Sequence, residues 1–216
     1  MSLVMVLVAT VLLAGSGLPG LFLRRRSASG QRIAVATVLV AAAVGMVGAG
    51  LGLAKGTPTT LTIPWTILGG RLLLAIDGLA AFFLVPVFLM GALGAVYGLG
   101  YWPQRRHGRA GTRLSLFWGL LVAGMSLLVV SRNALLFLLG WEVMAPAAFF
   151  LITTEDHREQ CRDAGWTYLI ATHVGTLCLF AMFALWRQAT GSYDLVPAAS
   201  RSLSAAVGNG LFFLAL

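Results

Sequence analysis

Two ionisable side chains interrupt long apolar runs: Glu142, within LLFLLGWEVMAPAAFFLI, and His173, within GWTYLIATHVGTLCLF. Nearly every other charged residue stands at the edge of such a run or between two of them. A carboxylate held away from water is costly unless it is protonated, paired or hydrated, and an acid in that setting marks an ion or proton route. Desolvation favours the neutral form of acids and bases alike, so a carboxyl and an imidazole in one apolar layer can pass a proton between them. Pro146, four residues beyond Glu142, removes the hydrogen bond to the Glu142 carbonyl and leaves a polar group beside the acid. Each residue also has a plainer reading. His173 can be a structural histidine bonded to a neighbouring helix, and Glu142 the partner of an arginine elsewhere. Asp77, in LAIDGLAAFF, reads as a helix N-cap or interface residue, and Arg132 as an anchor at a helix end.

Other chemistries find little support. Cys161 and Cys178 stand 17 positions apart with no second pair to complete a ligand set, so neither a metal nor a disulfide is implied. A membrane haem needs two axial ligands, and with His107 and His157 in loops only His173 remains. No cofactor is expected. There is no phosphate-binding loop and no Gly-rich turn after a strand, which leaves nucleotide binding unsupported. The net charge of +8 comes from short arginine clusters between apolar runs, a pattern of membrane orientation rather than of nucleic-acid binding.

The elements that must carry Glu142 and His173 follow from composition. Of 216 residues 59% are hydrophobic and 10% charged, with a mean hydropathy of +0.90, a balance that one water-soluble core does not hold. Runs long enough to cross about 30 Å of hydrocarbon fall at Leu3 to Leu23, Ile33 to Ala54, Leu79 to Trp102, Leu114 to Val130, Ala134 to Ile152 and Trp166 to Trp186. A seventh begins near Leu203 and ends with the chain at Leu216. The fold expected is all-α and integral to the membrane: one domain over residues 1–216, with six complete transmembrane helices and a truncated seventh. The chain reads as the first part of a longer protein. Arg24, Arg25 and Arg26 follow the first run instead of preceding it, so that run is expected to stay as a helix and not to be cleaved.

The basic loops RRRSASGQR and QRRHGRAGTR follow spans one and three, which places the N-terminus outside. The loop TTEDHREQCRD after span five holds four of the seven acidic residues, and acids count little in that rule. Residues 55–78, rich in Thr, Pro, Gly and β-compatible types, suit an extracytoplasmic hairpin over the helix ends. Gly45, Gly48, Gly50 and Gly52, and the pair Gly94 and Gly98, are suited to close helix contacts. From Glu142 at about 12 Å into its span and His173 at about 10 to 13 Å into the next, running oppositely, both are expected near the bilayer midplane.

Four stretches carry a family resemblance: AIDGLAAFF, VYGLGYW, LLFLLGWEVMAPAAFFLI and AGWTYLIATHVGT, with Gly191 to Leu195 fitting the loop after span six. From about Leu61 onward the chain resembles the antiporter-like membrane subunits shared by respiratory complex I, Mrp cation/proton antiporters and membrane-bound nickel–iron hydrogenases. The nearest likeness is to the B-type subunits of hydrogenase-4 and formate hydrogenlyase, resting mainly on ATHVG. That resemblance implies a proton-conducting, or in some relatives Na⁺-conducting, half-channel in the cell inner membrane, driven by electron transfer in other membrane and peripheral subunits. Glu142 matches the span-five glutamate of the family, and His173 the histidine of its hydrogenase-like branch. In the family the glutamate works against a lysine in span seven, whereas the only lysine here is Lys55, in a loop. The resemblance implies no redox centre on this chain. A cation/proton antiporter subunit and a non-transporting scaffold are the alternatives it leaves.

Overall fold

The computed structural model describes residues 1–23, 28–65, 70–195 and 203–215. Arg24, Arg25, Arg26 and Leu216 lie outside the described residues. In chain order the elements are α1 (Ser2–Gly15), α2 (Leu18–Phe22), α3 (Ser29–Lys55), β1 (Thr59–Trp65), β2 (Gly70–Ile76), α4 (Gly78–Tyr101), α5 (Gln104–His107), α6 (Arg109–Val130), α7 (Ala134–Ile152), a 3₁₀ turn (Thr153–Glu155), α8 (Glu159–Thr190) and α9 (Ala205–Ala215). Among the described residues, six helical segments are long and apolar enough to cross a membrane, the first formed by α1 and α2 together. Three of them start four or more residues earlier than hydropathy indicates, α3 beginning at Ser29. α6 begins at Arg109, inside the basic loop, and α8 at Glu159, inside the acidic one. Charged residues do not break a helix, and α8, at roughly 48 Å, outreaches the hydrocarbon so that its polar first turns stand at the headgroup level.

Small residues bring the first four spans together. α1 turns Leu3, Val6, Ala9 and Leu13 inward against α3 and α6. α3 answers with a buried face of Ala41, Ala42, Gly45, Gly48, Ala49 and Gly52. Gly45 makes room for the ring of fully buried Phe88, and a Cβ there would come within 2.5 Å of it. Gly94 does the same for Trp118, whose indole N–H donates to the Gly91 carbonyl at 2.9 Å. Gly48 and Gly52 are likewise close to their neighbours, while Gly50 and Gly98 face open space. α7 lies along α6, α8 packs on α7, and α9 packs on α8.

Buried amide and ion-pair contacts fasten the two ends of the bundle. At the basic end, Gln31 and Gln104 are exchanged reciprocally: the Gln31 N–H donates to Gln104 Oε1 at 2.8 Å and the Gln104 N–H to Gln31 Oε1 at 2.9 Å. Gln31 Nε2 then donates to the carbonyls of Gly98 and Trp102, closing the C-terminal end of α4.

At the opposite end β1 and β2 pair antiparallel, Leu61 against Leu74 and Ile63 against Leu72. Pro64 sits on the outer strand, where its missing N–H leaves no ladder bond unmade. The inner strand meets the α6–α7 turn, where the Arg132 N–H donates to the Leu73 carbonyl at 2.9 Å. Four side-chain contacts and two backbone bonds complete a clasp. Asp77 caps α4 by accepting from the Ala80 N–H at 2.7 Å and pairs with Arg132 at 2.8 Å. Arg71 Nε donates to Asp194 Oδ2 at 2.9 Å, and Asn133 Nδ2 to Asp194 Oδ1 at 3.2 Å. Backbone bonds from Ala134 to Tyr193 and from Leu195 to Arg132 tie the end of α8 to the start of α7. Burial pulls the Asp77 carboxyl upward, but the Ala80 N–H and the Arg132 guanidinium outweigh it and hold the group below the usual carboxylate range.

Two predictions follow from this packing. Gly45→Ala should lower stability by about 1 to 3 kcal/mol, since the ring it meets has no free space to enter. Gly50→Ala should not, and thermal unfolding of the two variants in detergent tests the contrast. Asp77→Asn keeps a capping acceptor but removes the charge. A depressed carboxyl contributes stability that is whole above its ordinary value of 3.8 and is lost as pH falls through its folded value. Melting curves against pH should therefore show the wild type flat, as far as Asp77 is concerned, from pH 8 to 5. The variant should be lower by up to about 1 kcal/mol at neutral pH, with a shallower fall in acid.

Candidate functional site

α7 and α8 carry the two residues that the sequence singles out. Asn133 starts α7 by accepting the Leu135 N–H at 3.0 Å, and the helix runs unbroken through Pro146 to Ile152. Trp141, just before the acid, donates its indole N–H to Thr176 Oγ1 on α8 at 2.9 Å. That bond sets the register of the two helices. Because α8 runs against α7, one step from Trp141 to Glu142 and three steps back from Thr176 to His173 move the same way. The two side chains therefore lie within roughly 3 Å of one another in depth.

They are level but not joined. No hydrogen bond links Glu142 to His173 among the described residues, and both side chains are exposed at the surface of the chain. His173 Nδ1 lies 2.8 Å from the Leu169 carbonyl of its own helix. A carbonyl only accepts, so Nδ1 is the donor in this contact, and Nε2 is left without a hydrogen-bonding partner among the described residues. Large apolar side chains surround the pair: Val143 on α7, and Ile170, Val174 and Leu177 on α8, all exposed. Only 11% of the most apolar stretch of α8 is buried within the chain. An acid and an imidazole at one level of an outward-facing apolar surface can exchange protons with a group or a water brought to that surface.

The hydroxyls nearby escape a reading by charge. Thr176 is buried between the helices, accepts from Trp141 and donates to the Thr172 carbonyl at 3.0 Å, while Thr172 donates to the Tyr168 carbonyl at 2.7 Å. The spacing of Thr172, His173 and Thr176 over one turn is the only sequence sign of this polar stripe. Asp77 and Arg132 belong to the clasp at the end of the bundle, not to this site. Arg71, Asn133 and Asp194, which complete that clasp, carry no local sequence signal. No group of three or more His, Cys, Asp or Glu side chains converges as a metal site among the described residues.

Residues 131–216 match the family model described as NADH:quinone oxidoreductase/Mrp antiporter, transmembrane. The matched stretch contains Glu142, His173, Thr176, and the clasp residues Arg132, Asn133 and Asp194. The chain is 27% identical over 144 residues to hydrogenase-4 component B of Escherichia coli, a match covering 67% of this chain and 21% of that protein. It is 32% identical over 145 residues to NADH-quinone oxidoreductase subunit L of Mycobacterium tuberculosis, covering 62% of this chain and 22% of that one. A chain in the structure of the Mrp complex from Dietzia sp. shares the fold, with a TM-score of 0.76 at 24% identity over 98% of this chain and 22% of that chain. The chain thus spans between a fifth and a quarter of the length of these curated relatives. The C-terminal part of the chain, residues 131–216, is thus similar to the NADH:quinone oxidoreductase/Mrp antiporter transmembrane family, and nearly the whole chain shares the helical fold of the Mrp-complex chain.

Proposed function

We propose that this chain is the proton-handling portion of a membrane subunit in a complex I-like NADH:quinone oxidoreductase or a membrane-bound hydrogenase, where electron transfer in partner subunits drives proton movement. The observation that carries the reading is the placement of Glu142: inside an apolar span, level with His173, and without a hydrogen-bonding partner among the described residues. In this reading Glu142 is the switchable carrier. A proton reaching its carboxylate neutralises it, which lowers the cost of holding the group among Val143, Val174 and Leu177. His173 Nε2 accepts or returns that proton, while Nδ1 stays committed to Leu169 and fixes the orientation of the ring. The chain lies in the cell inner membrane with its N-terminus outside, its basic loops inside and the β1–β2 hairpin on the outer face. Its partners are lipid and the other membrane and peripheral subunits of the complex, and its cargo is the proton, or Na⁺.

A second reading is favoured by the likeness in fold to a chain of an Mrp complex. There the chain serves a cation/proton antiporter, and an ion gradient instead of electron transfer drives the same carboxyl.

Both readings are open to test. In vesicles containing the whole complex, Glu142→Gln should reduce proton translocation by about tenfold or more while the protein remains folded and assembled. Wild-type translocation in that variant would overturn the assignment of Glu142, and a loss of assembly alone would favour a scaffold. If a Na⁺ gradient without an electron donor produces the pH change, the antiporter reading takes precedence. Orientation has its own measurement. In a background lacking Cys161 and Cys178, Thr62→Cys should react with a membrane-impermeant maleimide added outside, and Arg109→Cys only after the membrane is opened. The reverse pattern would invert the topology.

A further inference from the structure

The basic end of the bundle carries a feature that proton movement does not use. A crevice of about 170 Å³ opens between α3, α4 and α6. It runs from Val38 to Gln31 along α3, a length of roughly 10 Å. An apolar cavity of about 150 Å³ stays dry and takes up hydrocarbon. The walls here are of that kind, with Ala34, Val35, Val38 and Ala95 among them.

Apart from the hydroxyls of Tyr97 and Tyr101 at its mouth, the polar side chains that border the crevice are already committed. Both Gln31 Nε2 bonds go to the carbonyls of Gly98 and Trp102, and Gln31 Oε1 accepts the Gln104 N–H. Ser115 donates to the Gly111 carbonyl at 3.2 Å, and the Trp118 N–H to Gly91. Little is left to bind a polar ligand in the crevice itself, so its walls select an alkyl chain. Gly98 is what keeps it open: a Cβ at Gly94 would run into Trp118, whereas one at Gly98 would meet nothing within 4 Å.

The mouth is different in character. Tyr97 and Tyr101 stack at 5.2 Å and are 66% and 67% exposed, as aromatic residues are at the level of lipid headgroups. Just beyond them in the chain come Arg105, Arg106 and Arg109, and next to Gln31 on α3 comes Arg32. All four are exposed, and none forms an ion pair among the described residues, although Arg71, Arg113, Arg132 and Arg158 each do. An apolar slot beneath an uncompensated positive rim complements one kind of molecule.

We propose that this crevice is a binding site for an anionic phospholipid, with an acyl chain laid over Gly98 between α3, α4 and α6 and the phosphate held at the rim by Arg105, Arg106 and Arg32. Basic pockets between transmembrane helices recognise anionic headgroups through the same combination of charge and apolar contact. A zwitterionic lipid fills the slot but gains less at the rim, so the site discriminates by headgroup charge.

Native mass spectrometry of the complete protein, purified from its own membrane and exchanged into detergent carrying phosphatidylglycerol or phosphatidylcholine, tests the site. The wild type should retain phosphatidylglycerol over phosphatidylcholine by about tenfold or more. Gly98→Leu, which fills the slot from its floor, should lose the retained lipid while its thermal unfolding stays cooperative. The double variant Arg105→Gln with Arg106→Gln leaves the slot untouched, and it should retain the two lipids about equally. Equal retention by the wild type would overturn the proposal, as would undiminished phosphatidylglycerol in Gly98→Leu or an unchanged preference in the arginine variant. A polypeptide co-purifying at this face in place of lipid would overturn it as well.

Discussion

Hydrocarbon offers nothing for an N–H or C=O to bond, so a chain that lives in it must satisfy its polar groups from within and place the remainder at its ends. The arrangement described above obeys that constraint closely. Its mid-bundle polar contacts are local, such as Thr10 with Ser126 at 2.9 Å and Trp118 with the Gly91 carbonyl. Its heavier polar work is done at the two margins. At one, Gln31 and Gln104 close four backbone groups at once. At the other, Asp77, Arg132, Arg71, Asn133 and Asp194 bind a hairpin, a helix start, a tight turn and the end of α8 into one clasp. Between these margins a few interhelical hydrogen bonds, such as Trp141 to Thr176, stand among apolar contacts, and close approach at Gly45, Gly48 and Gly94 adds dispersion.

The clasp matters for the site because it fixes α7 at its first residue and α8 near its last. Trp141 and Thr176 then supply a second tie at depth. Two ties on one pair of helices leave little freedom of register, so Glu142 and His173 keep a common level without touching. A relay needs that geometry more than it needs a standing bond. A permanent Glu142–His173 contact would stabilise the charged pair and trap the proton, whereas two separate groups at one depth can each be served by a moving water or an incoming side chain.

Much of the architecture was legible in the sequence because apolar length and loop charge are written locally. The six spans, the capping role of Asp77 and the small residues at Gly45 and Gly94 are each signalled within one segment, although Phe88 and Trp118, which fill the space at those glycines, lie on other helices. The clasp was not, since Arg71 and Asp194 are 123 positions apart and neither type at either position announces a partner. Helix starts at Arg109 and Glu159 were missed for another reason. A hydropathy rule ends a span where hydrocarbon ends, while the helix itself continues through the headgroups. The outward direction of Glu142 and His173 could not be read at all. In water a helix shows a polar and an apolar face, but α7 is apolar all round, and its sequence gives no sign of which side faces α6.

The outward direction has a physical consequence for how the site works. Lipid tails can cover Val143, Ile170, Val174 and Leu177 at no cost, because they are as apolar as those side chains. They cannot cover an ionised Glu142 on the same terms. Whenever that carboxyl is charged, the surface over α7 and α8 must be occupied by something polar, a water file or a side chain from a neighbouring element, and whenever it is neutral that demand lapses. The cost of a charged carboxylate at Glu142 and the polarity of whatever covers this face are set by the same desolvation energy. In the proposed role, where the driving force comes from elsewhere in a complex, a neighbour that alters hydration at this face would alter the cost of holding a charge on Glu142 without touching it.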